Sequence, residues 1–255
     1  MTIVDTHCHI GLSKYEPVES LLYHIQRSGV SKAVLIQYMG NRDNAYLLEA
    51  MSNHPGRFSA AMIVANDDNG KMMRKWSESG IPGIRLPLKS RARGADPLAQ
   101  WRTASELGLV VSAPSSPESA SSPEFNEVLR TFPELSIVIE HLGGIGRGCH
   151  PPYIEFEPIT QLASYPNLTI KLPGFGEICE LPHPFTYIPP LVDMALEAFG
   201  PKRIMWGSDY PPVSTREGYD NSLTFPQSYF SALSEDERSW IFGRTALQVW
   251  KFAYA

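Results

Sequence analysis

The sequence predicts an α/β protein, a single (β/α)8 barrel of the TIM type spanning residues 1–255. Three observations predict it. Eight short apolar runs rich in Val and Ile alternate with eight longer amphipathic ones, as parallel strands and their covering helices do. The length of 255 residues is ordinary for one such barrel. The connectors after the strand runs are long and those after the helical runs short, which places the elaborated loops on the face where barrel active sites are built. An open doubly wound sheet is the competing fold, but no Gly-x-Gly-x-x-Gly follows the first strand.

In order, the strand candidates are residues 3–9, 32–37, 58–65, 83–87, 109–113, 136–141, 168–172 and 203–209. The helices between them carry stop and start signals. Residues 18–28 end at Gly29, 44–52 before His54-Pro55, 71–79 at Gly80 and 97–107 at Gly108. Residues 123–131 open on Pro123, tolerated in a first turn. Residues 155–163 precede Tyr165-Pro166, and 190–199 stop at Gly200-Pro201. Ser234-Glu235-Asp236-Glu237 forms a capping box that leads into a last helix over 238–252. The Ser/Pro-rich stretch 113–123 resembles a linker. Cutting there would leave two half barrels with open edges, so it is expected to be a flexible loop after the fifth strand.

The apolar fraction is 43%, the charged fraction 19% and the net charge −5, without a basic stripe, which argues against nucleic acid as a partner. No apolar run is long enough to span a bilayer, and no secretory pattern precedes His7. Cys8, Cys149 and Cys179 are few, odd in number and in no zinc spacing, which suits the cytoplasm.

The stretch that organises the chain is Ile3-Val4-Asp5-Thr6-His7-Cys8-His9. Residues two apart share a strand face, so His7 and His9 are expected side by side at the strand's carboxyl end. A pair of histidines by itself is an ordinary strand end; the second feature, Asp209 at the end of the eighth run, changes the weight. In a closed barrel the first and last strands are neighbours and these groups meet. Other strand ends add Arg85, Ser112, His141 and Lys171. Within strands, His141 is expected to share a face with Ile139 and Ile137, and Asp209 with Gly207. A lone His or Asp is usually a packed residue or a cap, but so many polar tips at one mouth would be costly to bury unused.

These segments also resemble a family. Val4-Asp5-Thr6-His7-Cys8-His9, Ile139-Glu140-His141-Leu142-Gly143-Gly144 and Trp206-Gly207-Ser208-Asp209-Tyr210-Pro211 are similar to signatures of the amidohydrolase superfamily, in particular its amidohydrolase-related branch. Leu168-Thr169-Ile170-Lys171-Leu172-Pro173-Gly174 and Gly243-Arg244-Thr245-Ala246 resemble further segments of that branch, the latter with Arg-Thr where Asn is usual. The branch contains lactonases of the pyrone-dicarboxylate and sugar-lactone type and decarboxylases of the aminocarboxymuconate-semialdehyde type. The resemblance implies a hydrolase with His7, His9 and Asp209 as the residues of a site for one divalent ion, zinc or manganese, and with His141 as a catalytic histidine. One departure stands out. Where metal-dependent members carry a histidine or modified lysine after the fifth strand, this chain has Ser112, a poor zinc ligand, which favours a metal-independent lactonase.

The resulting expectation is lactone or ester hydrolysis of a small, carboxylate-bearing substrate. Asp209 is the general base, and His7, His9 and His141 polarise the carbonyl. Arg85 forms a fork for the substrate carboxylate and Lys171 adds a point charge; the alternatives are a barrel-interior Lys171 paired with a carboxylate and an Arg85 that belongs to the solvated loop 89–93. Ser112, Tyr210 and His150 are further substrate-binding candidates, Arg147 sits nearby, and Glu177, Glu180 and His183 lie on a possible lid. Cys149-His150 is a poor nucleophile pair, since adjacent residues rarely reach attacking geometry; His24 and His54 receive no role. The alternatives are a metal-dependent decarboxylase and a barrel that binds a ligand without turning it over. A homo-oligomer is also compatible with the sequence.

Overall fold

The computed structural model describes residues 1–252. Eight parallel strands, β1 (Val4–Cys8), β2 (Lys32–Ile36), β3 (Phe58–Met62), β4 (Gly83–Arg85), β5 (Val110–Ala113), β6 (Ile137–Ile139), β7 (Leu168–Leu172) and β8 (Ile204–Trp206), pair strictly in sequence order. The ring is nearly closed by a bridge between Cys8 and Tyr210, with His9 N–H donating to the Tyr210 carbonyl at 2.7 Å and Asp209 N–H to the His7 carbonyl at 3.0 Å. The expected (β/α)8 barrel is thus observed, with first and last strands adjacent.

Alternation sorts every strand into two sides. Ala33, Leu35, Ala60, Ile84, Val111, Ile137, Ile139, Ile170 and Ile204 belong to the core between barrel and helices. Val4, Val34, Ala61, Val110, Val138 and Met205 form a separate interior cluster, closed from below by Ala246 and Trp250 of the C-terminal segment. Gly83 is required by that plug: a Cβ there would stand 2.7 Å from the Trp250 ring and 3.0 Å from the Ala60 carbonyl. Trp250 therefore fills the space under Arg85.

The helices Val18–Arg27, Ala45–Asn53, Lys71–Glu78, Ala99–Leu107, Pro123–Thr131 and Leu191–Phe199 stand where punctuation placed them. Four segments differ. The Ser/Pro stretch is not a flexible loop, because Ser116 caps a short helix, Pro117–Ala120, through a capping box with Ser119, and Ser122 caps the next helix. The connector after β8 contains a full helix, Tyr219–Tyr229, obscured in the sequence by Pro226 in its interior. The expected last helix is broken into Glu235–Ser239, a π-helical turn Trp240–Arg244 and Thr245–Val249, where Gly243 lies directly against the Thr2 carbonyl. The expected helix over 155–163 is likewise split into 3-10 turns around Glu157–Gln161. No helix among the described residues is long and apolar enough to cross a membrane.

Candidate active site

His7 reaches the interior through an irregularity in β1. Asp5 to Cys8, four residues, run opposite only three, Ala33 to Leu35, on β2. The extra residue resets the alternation, so Val4 below and His7 above both face inward while Cys8 packs outside. Asp5 holds the bulge: its Oδ1 accepts from the backbone N–H of His7 at 3.1 Å and of Ser208 at 2.9 Å, and its Oδ2 accepts the Tyr219 hydroxyl at 2.9 Å. Gly207 lets β8 come close, since a Cβ there would lie 2.9 Å from His7 Cβ.

His141 and Asp209 arrive by bent backbone. Both have left-handed φ, 48° and 59°, which L-residues adopt only where surroundings enforce it. Asp209 keeps the expected phase above Met205 and Gly207. His141 does not share a face with Ile137 and Ile139, which pack outward; Val138 and Glu140 are the inward residues of β6, and the turn after Glu140 swings His141 back over the mouth.

The tips converge. His7 Nε2 lies 3.3 Å from both His9 Nε2 and His141 Nε2, and Asp209 Oδ1 is 3.9 Å from His7 Nε2 and 3.6 Å from His9 Nε2. His141 Nδ1 faces Glu177 Oε1 at 3.3 Å, and Arg216 donates from Nη1 and Nη2 to Asp209 Oδ2 at 3.2 Å. These contacts drive the charges apart. Burial alone would raise Asp209, but its contacts with His9, His141 and Arg216 outweigh it and hold the carboxyl far below the usual carboxylate range. Burial alone would lower His141, but Glu177 and then Asp209 raise it above the ordinary imidazole value. His7 is pushed well down, first by burial and then by the cationic neighbours His141 and Lys171.

Behind His7 runs a buried chain of hydrogen bonds. Lys171 Nζ lies 3.2 Å from His7 Nδ1 and donates to Ser112 Oγ at 3.0 Å; Ser112 donates to Glu140 Oε1 at 2.7 Å. Arg85 closes the chain, donating from Nε and Nη2 to Glu140 and from Nη1 to the Gln37 carbonyl. An ammonium can only donate, so with Lys171 charged His7 carries its own proton on Nε2, facing the hollow. His9 is in the other state: its Nδ1 bonds the Ile36 carbonyl at 2.6 Å, which leaves the Nε2 lone pair pointing inward. Burial brings Lys171 down to about 8, and Glu140, despite burial, is brought down to about 2 by Arg85 and Lys171.

His7, His9 and Asp209 can hold a metal by distance, since their donor atoms lie within 4.8 Å of one another and ligands of a tetrahedral zinc sit about 3.4 Å apart. The donor chemistry fits one divalent ion, with one condition. The proton on His7 Nε2 would have to leave, and Lys171 stands where Nδ1 would need an acceptor.

Several sequence-derived roles need correction. Lys171 and Ser112 lie buried beneath His7 and bond other protein groups rather than opening to the mouth. Arg85 has one edge filled by Glu140 and Nη1 on the Gln37 carbonyl, so it is no open fork; it lines, with Arg91, a cavity of about 450 Å³. Tyr210 points away from the mouth, buried against His24 and Tyr219, with its hydroxyl bonded to Glu16. His150 is exposed, and no hydrogen bond or ion pair among the described residues joins it to the cluster. Arg147 donates to the Gly176 carbonyl at 2.9 Å, and His183 packs on Phe185 and Phe225. Glu177 reaches the cluster. Glu140, Asp5 and Arg216 were missed, although Glu140 could have been found as the lone charge two residues past Val138.

The amidohydrolase family model matches residues 4–252. The chain is similar to 4-sulfomuconolactone hydrolase of Hydrogenophaga intermedia, 23% identical over 231 residues, covering 81% of this chain and 74% of that protein. It is also similar to L-fucono-1,5-lactonase of Burkholderia ambifaria, 27% identical over 217 residues, covering 76% and 69%. Among solved structures, an amidohydrolase from Burkholderia multivorans with bound zinc superposes with a TM-score of 0.79 at 20% identity, covering 98% of this chain and 99% of that one, a likeness of fold.

Proposed function

Because this chain belongs to the amidohydrolase family, we propose that it is an enzyme that hydrolyses a lactone of a small carboxylate-bearing substrate, with Asp209 as base and His141 as acid. The observation that carries the reading is the convergence of a carboxylate and three imidazoles on one hollow, with Asp209 Oδ1 3.6 Å from His9 Nε2 and His141 Nε2 3.3 Å from His7 Nε2, a layout in which neighbouring groups can divide base from acid. The relatives named for sulfomuconolactone and fuconolactone support the substrate class.

Water enters the hollow against Asp209 Oδ1 and attacks the carbonyl carbon. Its proton goes to Oδ1. A carboxylate held so low keeps a proton poorly, and the inward lone pair of His9 Nε2, 3.6 Å away, is placed to take it on. The charge on the carbonyl oxygen is met by the Nε2–H of neutral His7, fixed in that state by Lys171. When the ring C–O bond breaks, the leaving alkoxide takes its proton from His141, giving an open hydroxy acid. A divalent ion held by His7, His9 and Asp209 would supply Lewis-acid polarisation of the carbonyl. Decarboxylation would depend on such an ion being held firmly, which the lysine behind His7 opposes; hydrolysis does not depend on it. The substrate carboxylate is read onto the cavity bordered by Arg85 and Arg91.

A panel of sugar and aromatic-acid lactones, followed by a pH indicator, tests the reaction: acid release is expected, and a protein inert to the whole panel would end the reading. Asp209→Asn is expected to lower kcat by about 10²–10⁴. Full turnover by a folded Asp209→Asn protein would remove the base.

A further inference from the structure

The loops after β7 and β8 dovetail above the cluster. Gly176 has no side chain because a Cβ there would run into the Glu217 carboxylate and lie 2.9 Å from Arg216 Cβ. Its N–H donates to Glu217 Oε1 at 3.1 Å, and Asn221 holds the Glu217 carbonyl at 2.9 Å. This interlock sets where Arg216 starts, and its guanidinium then meets three carboxylates. Nη1 and Nη2 donate to Asp209 Oδ2 at 3.2 Å each, Nη2 is 3.3 Å from Glu177 Oε1, and Nε is 3.7 Å from Glu217 Oε2. The same Oε1 of Glu177 lies 3.3 Å from His141 Nδ1. One cation thus touches the proposed base directly and the proposed acid through one intermediary.

We propose that Arg216 is a positioning residue for the proton-transfer pair. By holding Oδ2 of Asp209 it leaves Oδ1 facing His7 and His9, and by sharing Oε1 of Glu177 it keeps that carboxylate on His141. Its two hydrogen bonds go to Asp209, and its other charge contacts are with Glu177 and Glu217, so its interactions lie within the protein. The planar fork matters, because a lysine ammonium is a point charge on a flexible stem and cannot span two carboxylates in fixed orientation. The inference rests on the hydrolytic reading above for its consequence in rate, and on geometry alone for its consequence in structure.

Two arms test it. In crystals of Arg216→Ala, and of Arg216→Lys should the alanine variant fail to fold, Asp209 is expected to rotate so that Oδ1 leaves the imidazoles, and Glu177 to leave His141. Carboxylates that keep their places in the variant overturn the proposal, whatever the protein turns over. In kinetics with a neutral lactone, Arg216→Ala is expected to lose about 10²-fold in kcat, the usual consequence of misplaced reacting groups, with KM changed by no more than roughly twofold. Added guanidinium is expected to restore part of kcat and added ammonium none. Unchanged kcat, or a loss confined to KM, overturns it. A wild-type protein inert to all lactones would sink the hydrolytic reading and leave the crystallographic arm to decide the positioning role.

Discussion

The barrel interior has two storeys built by the same alternation and held by different physics. The lower one is Val4, Val34, Ala61, Val110, Val138 and Met205 over Trp250, apolar volume against apolar volume. Two residues on, β5 presents Ser112 and β6 presents Glu140, joined by Lys171 and Arg85 into one buried polar chain. The lower storey answers to size and shape alone. In the upper one Glu140 is the one carboxylate in the chain that faces Arg85 and Lys171, so its loss leaves buried cations without a counter-charge. The barrel can position reactive side chains rigidly because the first storey is insensitive and the second is exacting.

The sharpest way to break the contrast is Glu140→Gln. It strands Arg85 and Lys171 together and is expected to cost about 3–5 kcal/mol, read as the urea midpoint at neutral pH. The pH dependence gives an independent check. Glu140 is depressed from its ordinary 4.5 to about 2, so its contribution is present above 4.5 and lost as pH falls toward 2. Wild type should lose stability across that window, and the variant should lose less of it. A neutral-pH midpoint equal to wild type would show that the upper storey is no more exacting than the lower.

The two storeys were not equally legible. Fold, strand order and the meeting of His7, His9 and Asp209 followed from apolar runs ending in ionisable residues, because parity and ring closure are properties of the chain's pattern; His141 was expected at the mouth but arrives there through the turn after Glu140, against its parity. Lys171 and Ser112 were seen at strand ends but assigned to substrate, since a sequence shows that a polar tip faces inward and not at what height. Arg216 and Glu177 act from loops, whose path is fixed by contacts such as Gly176 against Glu217 that no periodicity records. The Tyr210 error has the same origin: it is one residue past Asp209, and alternation turns it outward to Glu16.

A smaller effect separates acid from base. Glu177 raises His141, so Glu177→Gln should lower it. An acid must be protonated to act, and the rate falls as pH rises through its value. The alkaline limb of kcat in Glu177→Gln should therefore move to lower pH, with about tenfold less activity on that limb for each unit moved. An unmoved limb would take the acid's role from His141, whatever happened to the maximum rate.

The smallest expected change lies in the lower storey. Met205→Leu keeps volume and polarity in a site where only those are specified, and swaps of this kind cost under about 1.5 kcal/mol. Met205 is nonetheless four residues below Asp209 on the same strand, with only Gly207 between them on the inward face. If the storeys are independent, kcat should stay at the wild-type value while the denaturation midpoint shifts slightly. A variant that kept its stability and lost turnover would show that lower packing sets the height of Asp209, and the two storeys would have to be treated as one.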